Sequence, residues 1–287
     1  MEQDCKCYLY KDRGDRMGSN FMVQVGVYIL CKKDNGTMFI KKPIDKYNYI
    51  NTLFFIPLKK NIQLSPLKNP RLAPVYGGMR GSCAQFVITH KQDAVSYFYE
   101  NFRDDYFKIV KEEAVRRNYT LPWKNNDDVI CFHLRFEDMA NARDIDSTNG
   151  FNRYKTWIET GNYVKEYKKC VSDDQCPIKI DTFERKINEL QKRHHEKQIY
   201  IVTYGRVPAK YMEIITKYRL MLINNNKEEL DCWLMTNCHT LVMTKSTFPI
   251  TPAFYFQGKE IHYQVWPRWA CLGVGSKYDK SGWIGFN

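Results

Sequence analysis

The chain contains no run of 18 apolar residues and no apolar stretch just behind its first residues. By these signals neither a membrane-spanning helix nor a secretory leader is indicated. It also lacks a CxxC pair. Its ten cysteines fall without regular spacing, Cys5 and Cys7 stand too close for a usual zinc site, and Cys31, Cys131 and Cys238 lie inside apolar runs. Thiols so placed pack as small core residues, so reduced cysteines and a cytoplasmic setting are expected. In that setting the sequons at Asn35 and Asn118 and the tripeptide Arg13-Gly-Asp15 read as chance matches. There is no internal repeat, no low-complexity tract, no G-x-G-x-x-G, no Gly-Lys-Ser/Thr phosphate loop and no Ser/His/Asp or Cys/His order suited to hydrolysis. A dense basic block is missing as well, although Lys and Arg outnumber Asp and Glu by 44 to 32. Scattered positive charge disfavours a nucleic-acid arm but still draws phosphorylated small molecules.

What is present is ordinary globular material: 287 residues, 44% hydrophobic and 26% charged, with twenty tyrosines. That length makes one large domain or two of about 140 residues. The first part reads strand, loop, helix, strand. Cys5 to Tyr10 is β-like, Gly14 to Asn20 a polar glycine loop, Phe21 to Lys33 helical, and Met38 to Ile40 a short strand. Residues 57–82, rich in Pro, Gly and Asn, read as irregular. Ala84 to Thr89 looks like a strand, and Asp93 to Arg117 carries a long helical pattern. The polar segment Pro122 to Asp128 is the linker candidate, dividing residues 1–125 from 126–287. Beyond it, apolar strands ending at His133, Thr203, Ile223 and Thr244 alternate with helical stretches near 151–169, 181–196, 209–219 and 227–238. A further helix starts between 246 and 252. Such alternation predicts parallel sheets covered on both faces, and two α/β lobes with a cleft between them.

Three constellations carry chemistry. His133-x-Arg135-x-x-Asp138 ends an apolar strand, where a guanidinium fork can grip a diphosphate. Equally, Arg135 and Asp138 can form an ordinary ion pair. Ser246-Thr247-Phe248 follows the strand Leu241-Val242-Met243 and precedes a helix held rigid by Pro249 and Pro252. Its hydroxyls can hold phosphate, or cap the helix for about 1 kcal/mol. Asp231, at the start of the helix feeding that strand, can cap its own helix or accept from the N–H edge of a nucleobase. The third, Gly14-Asp-Arg16-Met-Gly18-Ser19-Asn20, is a weaker phosphate loop. Asp144-Ile-Asp146 is a competing signal for a divalent metal bridging a sugar diphosphate.

In this order the constellations resemble the fucosyltransferase superfamily of GT-B-like fold, which holds α-1,2-, α-1,6- and protein O-fucosyltransferases. Asp231-x-x-Leu234-Met235-Thr236-x-Cys238, followed by Ser246-Thr247-Phe248, is similar to the α-1,2 group's C-terminal motif. His133-x-Arg135-x-x-Asp138 resembles the donor-binding HxRxxD motif, and Arg16 to Asn20 an N-terminal Gly-Asn-Gln loop. The resemblance implies two Rossmann-like lobes, the first on the acceptor side and the second holding the donor. It implies inverting transfer without a metal, with no cofactor beyond a GDP- or UDP-linked nucleotide sugar. Arg135 would bind the diphosphate, Ser246, Thr247 and the Phe248 backbone the phosphates, and His133 and Asp231 the base. Arg16, Gly18, Ser19 and Asn20 would reach the donor; for the base that deprotonates the acceptor, Asp138, Glu137 and Asp144 are candidates by position alone, with Asp138 the catalytic choice beside Arg135. An oligosaccharide or glycoprotein is the implied acceptor. The chain departs from the pattern at Phe136, where a second Arg is usual, at Val202 to Arg206, where an acidic Ser-Asp-Asp is usual, and at Pro249-Ile250. These changes leave GDP-fucose as the default donor and UDP-xylose as the alternative. A compact chain without an anchor also fits a glycosyltransferase of a large DNA virus or a microbe. The rival expectations are a metal-dependent glycosyltransferase using Asp144 and Asp146, and a non-catalytic basic nucleotide- or nucleic-acid-binding protein.

Overall fold

A computed structural model describes residues 7–10, 17–35, 37–40, 52–59, 81–136, 177–205 and 207–287. The chain divides into two units. One comprises Met1–Thr120 with Thr247–Phe256 and Pro267–Gly282; the other comprises Leu121–Ser246, Gln257–Trp266 and Trp283–Asn287. Both are α/β, and every described strand pairing is parallel.

The first unit begins with β1 (Cys7–Tyr10), α1 (Met17–Lys33) and β2 (Thr37–Ile40), followed by α2 (Ile56–Lys59), α3 (Gly81–His90), α4 (Ala94–Asn101) and α5 (Arg103–Arg116). Because β1 pairs with β2 in parallel, α1 is the crossover of a β-α-β unit. Met17 through Cys31 is buried on every side, as expected of an interior helix that is apolar all round. The polar glycine loop expected over Gly14–Asn20 therefore ends earlier: Gly18, Ser19 and Asn20 already belong to buried helix. Ala84–Thr89, expected as a strand, lies within α3. Its β-branched run is overridden by packing against α1, where Ser82 Oγ donates to Val23 O at 3.2 Å and Cys83 Sγ to Met22 O at 3.2 Å. The single helical pattern over Asp93–Arg117 breaks at Phe102, which separates α4 from α5. The later segments are bound firmly into this unit. Tyr255 Oη donates to Phe54 O at 2.8 Å, Tyr99 Oη to Ala253 O at 2.5 Å, and the Lys280 amide to Asp93 Oδ2 at 2.9 Å.

The second unit contains β3 (Val129–His133), α6 (Ile180–Arg193), β4 (Gln198–Thr203), α7 (Ala209–Lys217), β5 (Met221–Asn224), α8 (Glu228–Thr236), β6 (Thr240–Met243), β7 (Glu260–Gln264) and β8 (Ile284–Phe286). The helix α9 (Ile250–Phe254), between β6 and β7, belongs to the first unit. The sheet order is β5-β4-β3-β6-β7-β8. β3 and β6 are buried throughout because helices cover both faces of the sheet, hence their unbroken apolar runs. Ile130 and Phe132 of β3 join Ile199, Ile201 and Val242 in a core with Phe183, Ile187 and Leu190 of α6 and Tyr211, Ile214 and Ile215 of α7. The alternate β3 residues face the other way: Cys131 Sγ donates to Leu234 O of α8 at 3.8 Å.

Gly26 marks the closest approach of α1 to α3. A methyl there would overlap Ser82 Oγ and lie 2.7 Å from the Cys83 backbone nitrogen, which cannot yield. Gly26→Ala should lower stability by about 1–3 kcal/mol despite alanine's better helix propensity. Chemical unfolding measures this, and an unchanged midpoint counts against the close crossing.

Candidate functional site

Counted in order of appearance within its sheet, the second unit's strands run 3-2-1-4-5-6. In such a sheet the connections reverse direction between the first and fourth strands, here β3 and β6. That is where a sheet of this kind offers a ligand crevice, outside the carboxyl ends. His133 is the last residue of β3 and pairs with Val202 on one side and Met243 on the other. It is buried, and its Nδ1 lies 3.5 Å from Thr244 Oγ1, the first residue beyond β6. Leaving β3, the Leu134 amide still donates to Val202 O at 3.0 Å. Arg135 is half-buried between Leu134 and Phe136, which are both in the core. Phe136 packs edge-on against the Tyr211 ring, with centroids 4.8 Å apart. Leaving β6, the chain makes a tight turn in which the Ser246 amide donates to Thr244 O at 2.7 Å. Ser246 is buried.

Asp231 comes to the same face. Cys131 and His133 share one side of β3, and α8 covers that side at Leu234. From Cys131 to His133 the strand climbs about 6.6 Å toward its carboxyl end. From Leu234 back to Asp231 the helix climbs about 4.5 Å the same way. Asp231 is 4% exposed, and Asn226 Nδ2 donates to its Oδ1 at 3.1 Å. Burial pushes its carboxyl from the ordinary 3.8 up to about 7, against the Asn226 hydrogen bond and with help from the Glu228 charge. Asn226 ends a three-asparagine clasp. Asn224 Nδ2 donates to Gly205 O at 2.7 Å, while Asn225 Oδ1 accepts from the Gly205 amide at 2.9 Å. Gly205 (φ 82°) and Asn225 (φ 62°) both adopt the left-handed conformation this turn requires. Tyr204 is exposed beside the clasp. Thr203 Oγ1 and Asn224 Oδ1, on one rung of the β4–β5 ladder, are buried without a hydrogen-bond partner among the described residues.

Gly18, Ser19, Thr247 and Phe248 gather in the first unit. A methyl on Gly18 would overlap the Thr247 carbonyl and crowd Phe248 Cα, and Ser19 Oγ lies 3.1 Å from Thr247 Oγ1. The Thr247 hydroxyl is thus engaged by α1. Asn20 is fully buried in the same first turn. Arg16, Asp138, Asp144, Asp146 and the helical stretch 151–169 lie outside the described residues, as do residues 60–80 of the expected irregular segment. Thr244, Lys245 and Asn226 were not singled out from sequence. Asn224-Asn225-Asn226 is a run of turn-forming residues, but only the folded chain couples it to Asp231. Among the described residues no cluster of His, Cys, Asp or Glu is arranged to hold a metal ion, and no helix is long and apolar enough to cross a membrane.

At the level of sequence the chain matches no protein-family model and no curated protein. Its structure is similar to that of POFUT1 in complex with GDP-fucose, at 10% identity over 91% of this chain and 98% of that one, with a TM-score of 0.48. It is also similar to a mutant FUT1 of Arabidopsis thaliana in complex with GDP, at 10% identity over 93% and 72% with a TM-score of 0.44. A third similarity is to the α-1,6-fucosyltransferase NodZ soaked with GDP-fucose, at 10% identity over 88% and 93% with a TM-score of 0.33.

The raised pKa of Asp231 has a definite sign for stability. Between its ordinary 3.8 and about 7 the folded chain holds a proton that the unfolded chain has released, so stability falls as pH rises through that window. Asp231→Asn escapes the penalty. Its melting temperature should equal that of wild type in acid and exceed it by several degrees above neutrality. A gap that does not vary with pH would contradict the raised value.

Proposed function

We propose that this chain is an inverting, metal-independent glycosyltransferase of the GT-B type. It moves a sugar from a nucleoside-diphosphate donor to a hydroxyl of an oligosaccharide or glycoprotein. The observation that carries this reading is the pairing of β3 with β6 at the point where the strand order reverses. That pairing brings His133, Arg135 and the Thr244–Ser246 turn to one carboxyl edge. The site is built to hold a group bearing both a base and a diphosphate. Arg135 offers a planar fork for phosphate oxygens, and the Ser246 hydroxyl and turn amides add neutral donors. Asp231 and His133, on one face beside the crevice, take the nucleobase. The Asp231 carboxylate accepts from its N–H edge.

In the reaction the acceptor oxygen attacks the anomeric carbon and the bond from that carbon to the diphosphate breaks. The bonding electrons leave with the phosphate oxygen. Charge builds on the departing diphosphate, and Arg135 balances it. Leu134 and Phe136 anchor Arg135 from both sides in the core, so little reorganisation is needed as the charge develops. The acceptor's proton passes to a base on the segment after β3, where Asp138 stands in the sequence. GDP-fucose is the default donor and a UDP-sugar such as UDP-xylose the other.

Arg135→Ala should cut transfer by about 10²–10³ and leave the melting temperature nearly unchanged. Wild-type turnover in that variant would defeat the assignment. Thermal shifts with GDP, UDP and their sugar conjugates identify the donor, and activity retained with a chelator supports metal independence.

A further inference from the structure

The β3–β6 ladder brings a second cation, Lys245, to the edge from which Arg135 leaves. Its last rung joins His133 to Met243. Two residues past that rung stand Arg135, just beyond the end of β3, and Lys245, in the tight turn that follows β6. Adjacent strands run about 4.8 Å apart, so the two cations leave the sheet from neighbouring strand ends where the connections diverge. Lys245 is half-buried, which confines its stem. Its neighbours Thr244 and Ser246 are buried and joined by the tight turn, which fixes the backbone between them. Some other lysines of this unit have carboxylate partners: Lys186 pairs with Glu189 at 2.7 Å, Lys217 with Glu184 at 2.7 Å, and Lys197 with Glu196 at 3.2 Å. Among the described residues, the Lys245 ammonium has neither an ion pair nor a hydrogen bond. Phe136, beside Arg135 in sequence, is buried in the core and supplies no charge.

We infer that Lys245 binds the donor's diphosphate together with Arg135, the two cations gripping it from neighbouring strand ends. Arg135 supplies the flat bidentate fork and Lys245 a compact point charge that follows the second phosphate. This rests on reading the crevice as a diphosphate site.

The test titrates wild type, Lys245→Met and Lys245→Arg with guanosine, GMP and GDP, and with the uridine series, at two salt concentrations. Lys245→Met should lose on the order of tenfold in diphosphate affinity. Its salt dependence should be shallower and its nucleoside affinity equal to that of wild type, and Lys245→Arg should restore most of the loss. Lys245→Gln repeats the comparison, so that a folding defect in one variant does not decide the matter. Equal diphosphate affinity in wild type and both uncharged variants overturns the role of Lys245 while leaving the donor site intact. If wild type itself fails to prefer diphosphate over nucleoside, the donor-site reading falls and takes this inference with it.

Discussion

Because β3 sits mid-sheet with β4 on one flank and β6 on the other, the chains leaving β3 and β6 must turn away from each other. Sheets with this reversal of strand order offer their ligand crevice outside that carboxyl edge. Everything placed at that edge follows from the backbone pairing of His133 with Met243. A one-residue slip in this register would reverse which side chains face α8, removing His133 from the side it shares with Asp231.

The edge owes its precision to the core beneath it. Arg135 is a charged residue between two apolar ones, each bound into the cluster formed with α6 and α7, so the guanidinium departs from a fixed base. Asp231 shows the opposite arrangement, a carboxylate drawn into the protein by its own helix and held by one amide. Folding bears the electrostatic cost of that burial. In return protonated and ionised forms coexist near neutral pH, and a partner that donates hydrogen bonds draws the group to the ionised form. A surface aspartate on a flexible loop would lack this property.

Much of the second unit was legible because parallel strands covered on both faces leave long apolar runs, as in Val129-Ile-Cys-Phe-His133 and Leu241-Val-Met243. The amphipathic α6, with Phe183, Ile187 and Leu190 on one stripe, was equally plain. The first unit was harder. In α3 the residues Phe86-Val-Ile-Thr89 favour a strand locally, and only the demand of the all-apolar α1 for a covering partner makes them helical. β7 was passed over because Glu260, His262 and Gln264 interrupt its apolar residues, although four of its five positions are buried in the sheet. At the candidate site the signals at His133, Arg135, Asp231 and Ser246 came from residues ending or starting elements. Lys245 and Asn226 carry no such signal, and Thr244 showed only as the end of a strand. Their significance depends on which strand lies next to which, and that is not written locally in a sequence.

The first unit cannot be completed by the residues that begin it. Tyr255 and Ala253, which bond to Phe54 and Tyr99, and the Lys280 amide that Asp93 accepts, are translated long after Thr120. For on the order of ten seconds of synthesis the apolar flank of α1, with Phe21 and Phe98, has no such cover. A nascent chain in that condition is a natural client for holding chaperones. Any substitution that slows elongation between Leu121 and Ser246 prolongs the exposure without altering a single contact in the finished protein.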